Sequence, residues 1–258
     1  MKICVLGSGY VGGALAQALA STYPVCASYR SNDTQEKLSS LGLSSERIIL
    51  YENHIEGNLG FFNTDLLIIT IPFSKTLKNP FIYTQQLKTV LATLKENQFT
   101  PWIIFTSSTS IYSTSKLPLT EETIITPDTP RQKALYDTEQ AIQHSGLPYT
   151  ILRLGGIYGP DRDPTRFFSH GKPIADGPVN VVSLEEIVNA VVSLINYPSQ
   201  NQIYNLVSPN HPLKSEWYTA LANAQNVEAP SFYHTSDEQK WVSSEKLKLH
   251  LQIIENPL

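Results

Sequence analysis

Cysteine, methionine and charge are all scarce in this 258-residue chain: 2 Cys, 1 Met, and 16% Asp, Glu, Lys and Arg together. Two thiols cannot make a disulfide framework, and Cys4 and Cys26 both stand in apolar runs where cysteine acts as a small buried hydrophobe. A basic surplus is also missing. The 19 Lys and Arg face 23 Asp and Glu, for a formal net charge of −4. No electrostatic drive toward phosphodiester backbones or anionic lipid follows, so neither nucleic acid nor a membrane is an expected partner. Long hydrophobic runs are lacking too. The longest, Leu66 to Phe73, is far below the roughly 20 residues that span a bilayer and contains Thr70 and Pro72. The six histidines, His54, His144, His170, His211, His234 and His250, share no metal-ligand spacing with one another or with cysteine, so no metal is expected. Only a few residues precede a glycine-rich turn at the N-terminus, too few for a signal peptide. The expected location is the reducing cytoplasm.

What is present is a regular alternation. Apolar runs of strand length at Lys2–Leu6, Val25–Tyr29, Arg47–Tyr51, Leu66–Ile71, Trp102–Thr106 and Tyr149–Leu154 alternate with helical segments at Val11–Ser21, Thr34–Leu41, Thr84–Glu96 and Arg131–Ser145. Such alternation implies an α/β fold, a doubly wound, Rossmann-like parallel sheet with helices on both faces, because parallel strands need crossover connections. Past Tyr158 the pattern loosens into Gly- and Pro-containing loops, with helices at Leu184–Asn196 and Ser215–Gln225 and a short strand at Ile203–Val207. The expected organisation is a dinucleotide-binding core over residues 1–157, to which 180–208 return. Residues 158–179 and 209–258 then form a small substrate-binding subdomain over the strand ends, where open α/β sheets bind ligands.

Gly7-Ser8-Gly9-Tyr10-Val11-Gly12 follows the first strand directly and opens the first helix, the context that gives GxGxxG a physical meaning. Gly7 permits the tight turn, Gly9 lets a pyrophosphate approach the backbone, and Gly12 lets helix and strand pack closely. The helix that starts with Tyr10 and Val11 turns its free N–H groups and positive end toward the phosphates. An acid at the end of the second strand would accept from a ribose 2′-hydroxyl, but Arg30-Ser31 stands there, with no acid until Asp33. Arg30 suits a 2′-phosphate, so NADP is the expected cofactor, with NAD as the other nicotinamide dinucleotide the turn would take; the plainer reading is a solvated strand-end arginine. Thr70 and Ser107, toward the ends of their strands, complete the expected cofactor set.

Three further motifs follow in order: Phe105-Thr-Ser-Ser-Thr-Ser-Ile-Tyr112, Arg153-Leu-Gly-Gly-Ile-Tyr-Gly-Pro160 and Asn180-Val-Val-Ser-Leu-Glu-Glu186. Together with the glycine turn and Ile203-Tyr-Asn-Leu, they make nearly the whole chain resemble the extended short-chain dehydrogenase/reductase superfamily, in its NAD-dependent epimerase/dehydratase-like branch. The resemblance implies a C-terminal substrate subdomain and redox chemistry at a nicotinamide ring. It also implies that Ser108 hydrogen-bonds the reacting oxygen.

The departures are as informative. Counting back from Glu139, the family's catalytic tyrosine and lysine positions hold Arg131 and Leu135. Tyr112 and Lys116 repeat the spacing, but about a helix too early, and are read as coincidence. Without the lysine, a tyrosine near pKa 10 is ionised to only about one part in a thousand at pH 7, so alcohol oxidation should be poor. In this respect the chain looks like the atypical members of the superfamily. Tyr112 is the expected substitute acid, or else a ring filling the sheet's edge, and Tyr136 is a packing residue. Arg131 either binds a substrate anion or sits solvated. The loop from Tyr158 could bring Arg162, with Arg166 one turn on, over an anionic substrate, or be a solvated turn. Two functions stay open: an atypical reductase or epimerase acting on a small sugar-like or anionic carbonyl substrate, and a non-catalytic NADP(H)-binding redox sensor. The expected partners are the dinucleotide and a small molecule, with a homodimer left open.

Overall fold

The computed structural model describes residues 1–74, 77–168, 171–234 and 239–251. Its main sheet collects β1 (Ile3–Leu6), β2 (Val25–Tyr29), β3 (Ser44–Leu50), β4 (Ile55–Gly57), β5 (Leu66–Ile69), β6 (Trp102–Ser108), β7 (Tyr149–Leu154) and β11 (Gln202–Leu206). The order is β11-β7-β6-β5-β1-β2-β3-β4. Every pairing is parallel except β3 with β4, a hairpin at the edge.

The strand sequences explain their burial. All four residues of β1 and of β5 are buried, as expected of central parallel strands covered on both sides. Alternate residues feed two cores: Ile3, Val5, Leu66 and Ile68 point to one, and Cys4, Leu6, Leu67 and Ile69 to the other. The first core is covered by α1 (Tyr10–Ala20) and α5 (Leu184–Asn196), and the second by α3 (Phe81–Glu96) and α4 (Pro130–Gln143). Capping boxes fix where α4 and α5 start: Thr129 with Gln132, and Ser183 with Glu186. The short α2 (Asn32–Ser40) lies between β2 and β3. Among the described residues, no helix is long and apolar enough to cross a membrane.

Some elements differ from the sequence expectation. Helix α3 starts at Phe81, three residues earlier than Thr84, because Pro80 is accepted at a helix start and Asn79 Oδ1 takes the Phe81 N–H. Beyond β7 the chain forms two small pairs, β8 (Gly156–Tyr158) with β10 (Val181–Ser183) and β9 (Ile174–Ala175) with β12 (Phe232–Tyr233). These strands of two or three residues are too short to show a period. Helices α6 (Lys214–Gln225) and α7 (Glu245–Leu251) complete the described chain. Chain order reverses at β1, which has β2 on one side and β5 on the other, and this opens the crevice at their carboxyl ends.

Candidate functional site

The crevice is built around the glycine turn. Gly7 has φ +102°, its N–H donates to the buried Ser28 Oγ at 2.8 Å, and its carbonyl accepts from Thr70 Oγ1 at 2.6 Å. Thr70 thus braces the turn from β5, and Ser28, which no motif in the sequence marks, braces it from β2. A Cβ on Gly12 would lie 2.1 Å from Gly7 O and 2.3 Å from Thr70 Oγ1, so only glycine lets α1 start this close to the turn. Gly9 is the opposite case. A Cβ there would meet nothing within 4 Å, and no side chain caps α1. The open space over Gly9 and Ser8 Oγ, unpartnered among the described residues, fit a pyrophosphate lying on the start of α1, alongside the N–H groups of Tyr10 and Val11. Arg30 is exposed just past β2, with no ion pair among the described residues, and Ser31 Oγ lies 3.0 Å from Thr34 Oγ1 at the start of α2.

At the end of β6 the structure separates two neighbouring serines. Ser107 Oγ faces inward and donates to the buried Glu139 carboxylate at 2.6 Å, so this hydroxyl is engaged inside the core. Ser108 is half-buried, and its Oγ accepts from Ser110 N at 3.1 Å. That contact fixes the oxygen and, among the described residues, leaves the hydroxyl hydrogen uncommitted.

Tyr112 corrects the expectation that it replaces the lost acid. Its ring is 2% exposed, and its hydroxyl contacts Thr120 O and Asn205 Oδ1 at 2.9 Å each and receives the Arg153 guanidinium at 2.6 Å. Burial raises its pKa, against the pull of Arg153, and no open face of the hydroxyl is left for a substrate. Lys116 is exposed while Tyr112 is buried, so the pair shares no site. Arg131 also departs from the substrate-binding expectation. Its guanidinium donates to the carbonyls of Ser74 (2.8 Å) and Phe73 (3.2 Å) and lies over the Phe73 ring, latching the chain that leaves β5. Leu135 is buried in a third core cluster, against which Tyr136 packs.

On the other side, Tyr158 sits in β8 with its ring edge-on to Trp217, and Arg162 lies over the Tyr10 ring, 5.0 Å from its centre. Two lysines without a sequence signal also enter. Lys240 donates to Tyr112 O at 2.6 Å, and burial plus the nearby charge of Lys214 push its pKa down to about 8. Lys214 donates to Ala175 O, and its pKa too is lowered by burial, against the pull of Asp176. Asn180 holds the Lys240 segment in place, donating to Lys240 O and accepting from Val242 N. An open groove of about 640 Å³ lies alongside, with Trp217, Trp241 and His211 in its walls. Among the described residues no His, Cys, Asp and Glu cluster is suited to a metal; His170 lies outside them.

No protein-family profile matches the chain. Protein YeeZ of Escherichia coli (strain K12) is 31% identical over 251 residues, covering 93% of this chain and 89% of that protein. Among solved structures, UDP-glucuronic acid 4-epimerase from Bacillus cereus, in complex with NAD, superposes with a TM-score of 0.76 at 17% identity, covering 100% of this chain and 94% of its own. A short-chain dehydrogenase/reductase superfamily protein from Agrobacterium tumefaciens with bound NAD gives 0.76 at 14% identity, covering 100% and 93%. The chain belongs to the YeeZ family, and its fold is that of the extended short-chain dehydrogenases/reductases and NAD-dependent epimerases.

Proposed function

We propose that the protein is an NADP(H)-dependent oxidoreductase of the atypical short-chain type, acting on a small anionic carbonyl compound. The observation that carries this reading is the turn itself: Gly9 opens a cradle that Gly7, Gly12, Ser28 and Thr70 hold in shape. A nicotinamide dinucleotide bound there supplies or accepts hydride. The chain's own residues do the rest. Ser108, its oxygen pinned by Ser110 N, donates a hydrogen bond to the reacting carbonyl oxygen, which takes up its proton from solvent water. Lys240, a half-buried ammonium beyond the end of β6, attracts a carboxylate or phosphate on the substrate. Arg30, exposed past β2 with no ion pair among the described residues, favours the 2′-phosphate of NADP.

Arg30→Asp should remove or invert the preference for NADPH over NADH in equilibrium binding; equal affinities in the unmutated chain would refute the assignment. For chemistry, NADPH oxidation is followed with a panel of aldehydes and ketones, with and without an anionic group. Ser108→Ala should slow turnover of the best substrate by about 10²–10³-fold, as loss of a polarising donor does. Below pH 8 Lys240 is protonated, so KM for anionic substrates should be lowest there and climb toward tenfold per unit above it; Lys240→Met should leave KM high and flat. A redox sensor is the second reading, favoured by Arg131 and Leu135 standing where the tyrosine and lysine would be. Cofactor binding without turnover across the panel would select it.

A further inference from the structure

We propose that Arg162 and Ser8 form a second phosphate-binding element, in which the loop after β8 reaches across the glycine turn and grips the pyrophosphate of the dinucleotide. The inference rests on the dinucleotide reading and replaces the substrate role expected of Arg162. Among the described residues, two buried side-chain polar atoms have no hydrogen-bond partner, Ser8 Oγ and Arg162 Nε. One belongs to the turn and the other to the loop seated on it. Both are able to donate, and both lack an acceptor.

The seating is specific. Tyr10, the first residue of α1, donates from its hydroxyl to Pro160 O at 2.8 Å, and Gly159 holds φ +146°, a conformation that favours glycine, with its Cβ position 2.8 Å from that hydroxyl. Gly159 and Arg162 exchange backbone hydrogen bonds of 3.2 and 2.9 Å, closing a tight turn that lays the guanidinium on the Tyr10 ring. The neighbouring charges do not neutralise it. Asp163 is engaged elsewhere, with one oxygen accepting from Thr165 and the other from Gln225. Asp161 is exposed, Arg166 is a second cation, and Glu228, which lines one groove with Arg162, makes no ion pair with it among the described residues; burial and Arg166 together lower the Arg162 pKa. A guanidinium stays charged even so. What these groups lack is an anion with several acceptor oxygens, held beside Gly9 and Tyr10, and a pyrophosphate on the start of α1 provides it.

The test is calorimetric titration of the full chain with NADPH, ADP-ribose and adenosine, the last lacking phosphate, for the unmutated protein, Arg162→Ala and Arg162→Gln. Arg162→Gln keeps the stem that covers Tyr10 and guards against misfolding. Both variants should bind NADPH and ADP-ribose about 10- to 100-fold more weakly, with a shallower salt dependence, and adenosine unchanged. Ser8→Ala should lose several-fold. Unchanged ADP-ribose affinity in folded Arg162→Gln would overturn the clamp while leaving the dinucleotide site standing. Failure of the unmutated chain to bind either phosphate-bearing ligand would overturn both. A change confined to substrate KM would return Arg162 to the substrate side and refute the proposal.

Discussion

Gly12→Ala is expected to abolish measurable dinucleotide binding and to lower the melting temperature, whereas Gly9→Ala should lose binding with almost no loss of stability. At Gly12 the added methyl carbon would lie 2.1 Å from a backbone carbonyl and 2.3 Å from a threonine oxygen. Neither neighbour can step aside cheaply. Gly7 is held by Ser28 on its N–H and Thr70 on its carbonyl, and the Thr70 N–H is itself paired with Leu6 O at 2.9 Å. Relief must come from moving α1, at a cost of about 1–3 kcal/mol for ordinary overpacking. That shift also displaces the N–H groups that define the cradle, so affinity should fall by more than about 100-fold, as misplacement by an ångström does elsewhere. At Gly9 the space is open, so an alanine methyl meets no neighbour but fills the room a phosphate needs. Calorimetric melting and titration of both variants check the pair. A Gly12→Ala protein that melts like the parent would show that the tight contact is not maintained in solution.

Arg153→Met should destabilise the protein by about 3–5 kcal/mol, because it leaves the Glu139 carboxylate buried without its cation. The two side chains are 4% and 1% exposed, joined at 2.7 Å, with Ser107 on the carboxylate and Tyr112 on the guanidinium. At roughly 2–4 °C per kcal/mol for a chain of this size, the melting temperature should drop by about 6–20 °C. Removing both charges, as in Glu139→Leu with Arg153→Met, should recover most of that loss, since the desolvation of the pair disappears with it. Tyr112→Phe should behave as a structural variant, costing about 1–3 kcal/mol for the groups it leaves unpaired and sparing turnover in the fraction that stays folded. A rate collapse in stably folded Tyr112→Phe would instead restore a chemical role to that hydroxyl. Denaturant midpoints for the three variants separate these outcomes.

Much of the fold was legible because its signals are local. Tyr149–Leu154 and Leu184–Asn196 coincide with the observed strand and helix, since one is a bounded apolar run and the other opens with a capping box. The glycine turn was legible for a similar reason: each glycine answers a backbone requirement that can be stated without coordinates. What sequence could not supply is partnership. Ser28 braces Gly7 from 21 residues away, and Lys240 meets Tyr112 across 128. Tyr112 looked available because it follows Ser108 closely, but the 3-10 turn at Thr109–Ile111 sets it over Arg153 and Asn205, and the core takes its hydroxyl. Arg131 occupies a catalytic register and still serves to tie down Phe73 and Ser74. Register in sequence gives a side chain's address; its acceptors come from elements far along the chain.

The most direct test of the central claim is isothermal titration of the full chain with NADPH. One saturable site per chain is expected, tighter for NADPH than for NADH, with the signal lost in Gly9→Ala although that variant melts normally. No saturable heat with either dinucleotide at millimolar concentration, in a protein that melts cooperatively, would contradict the account.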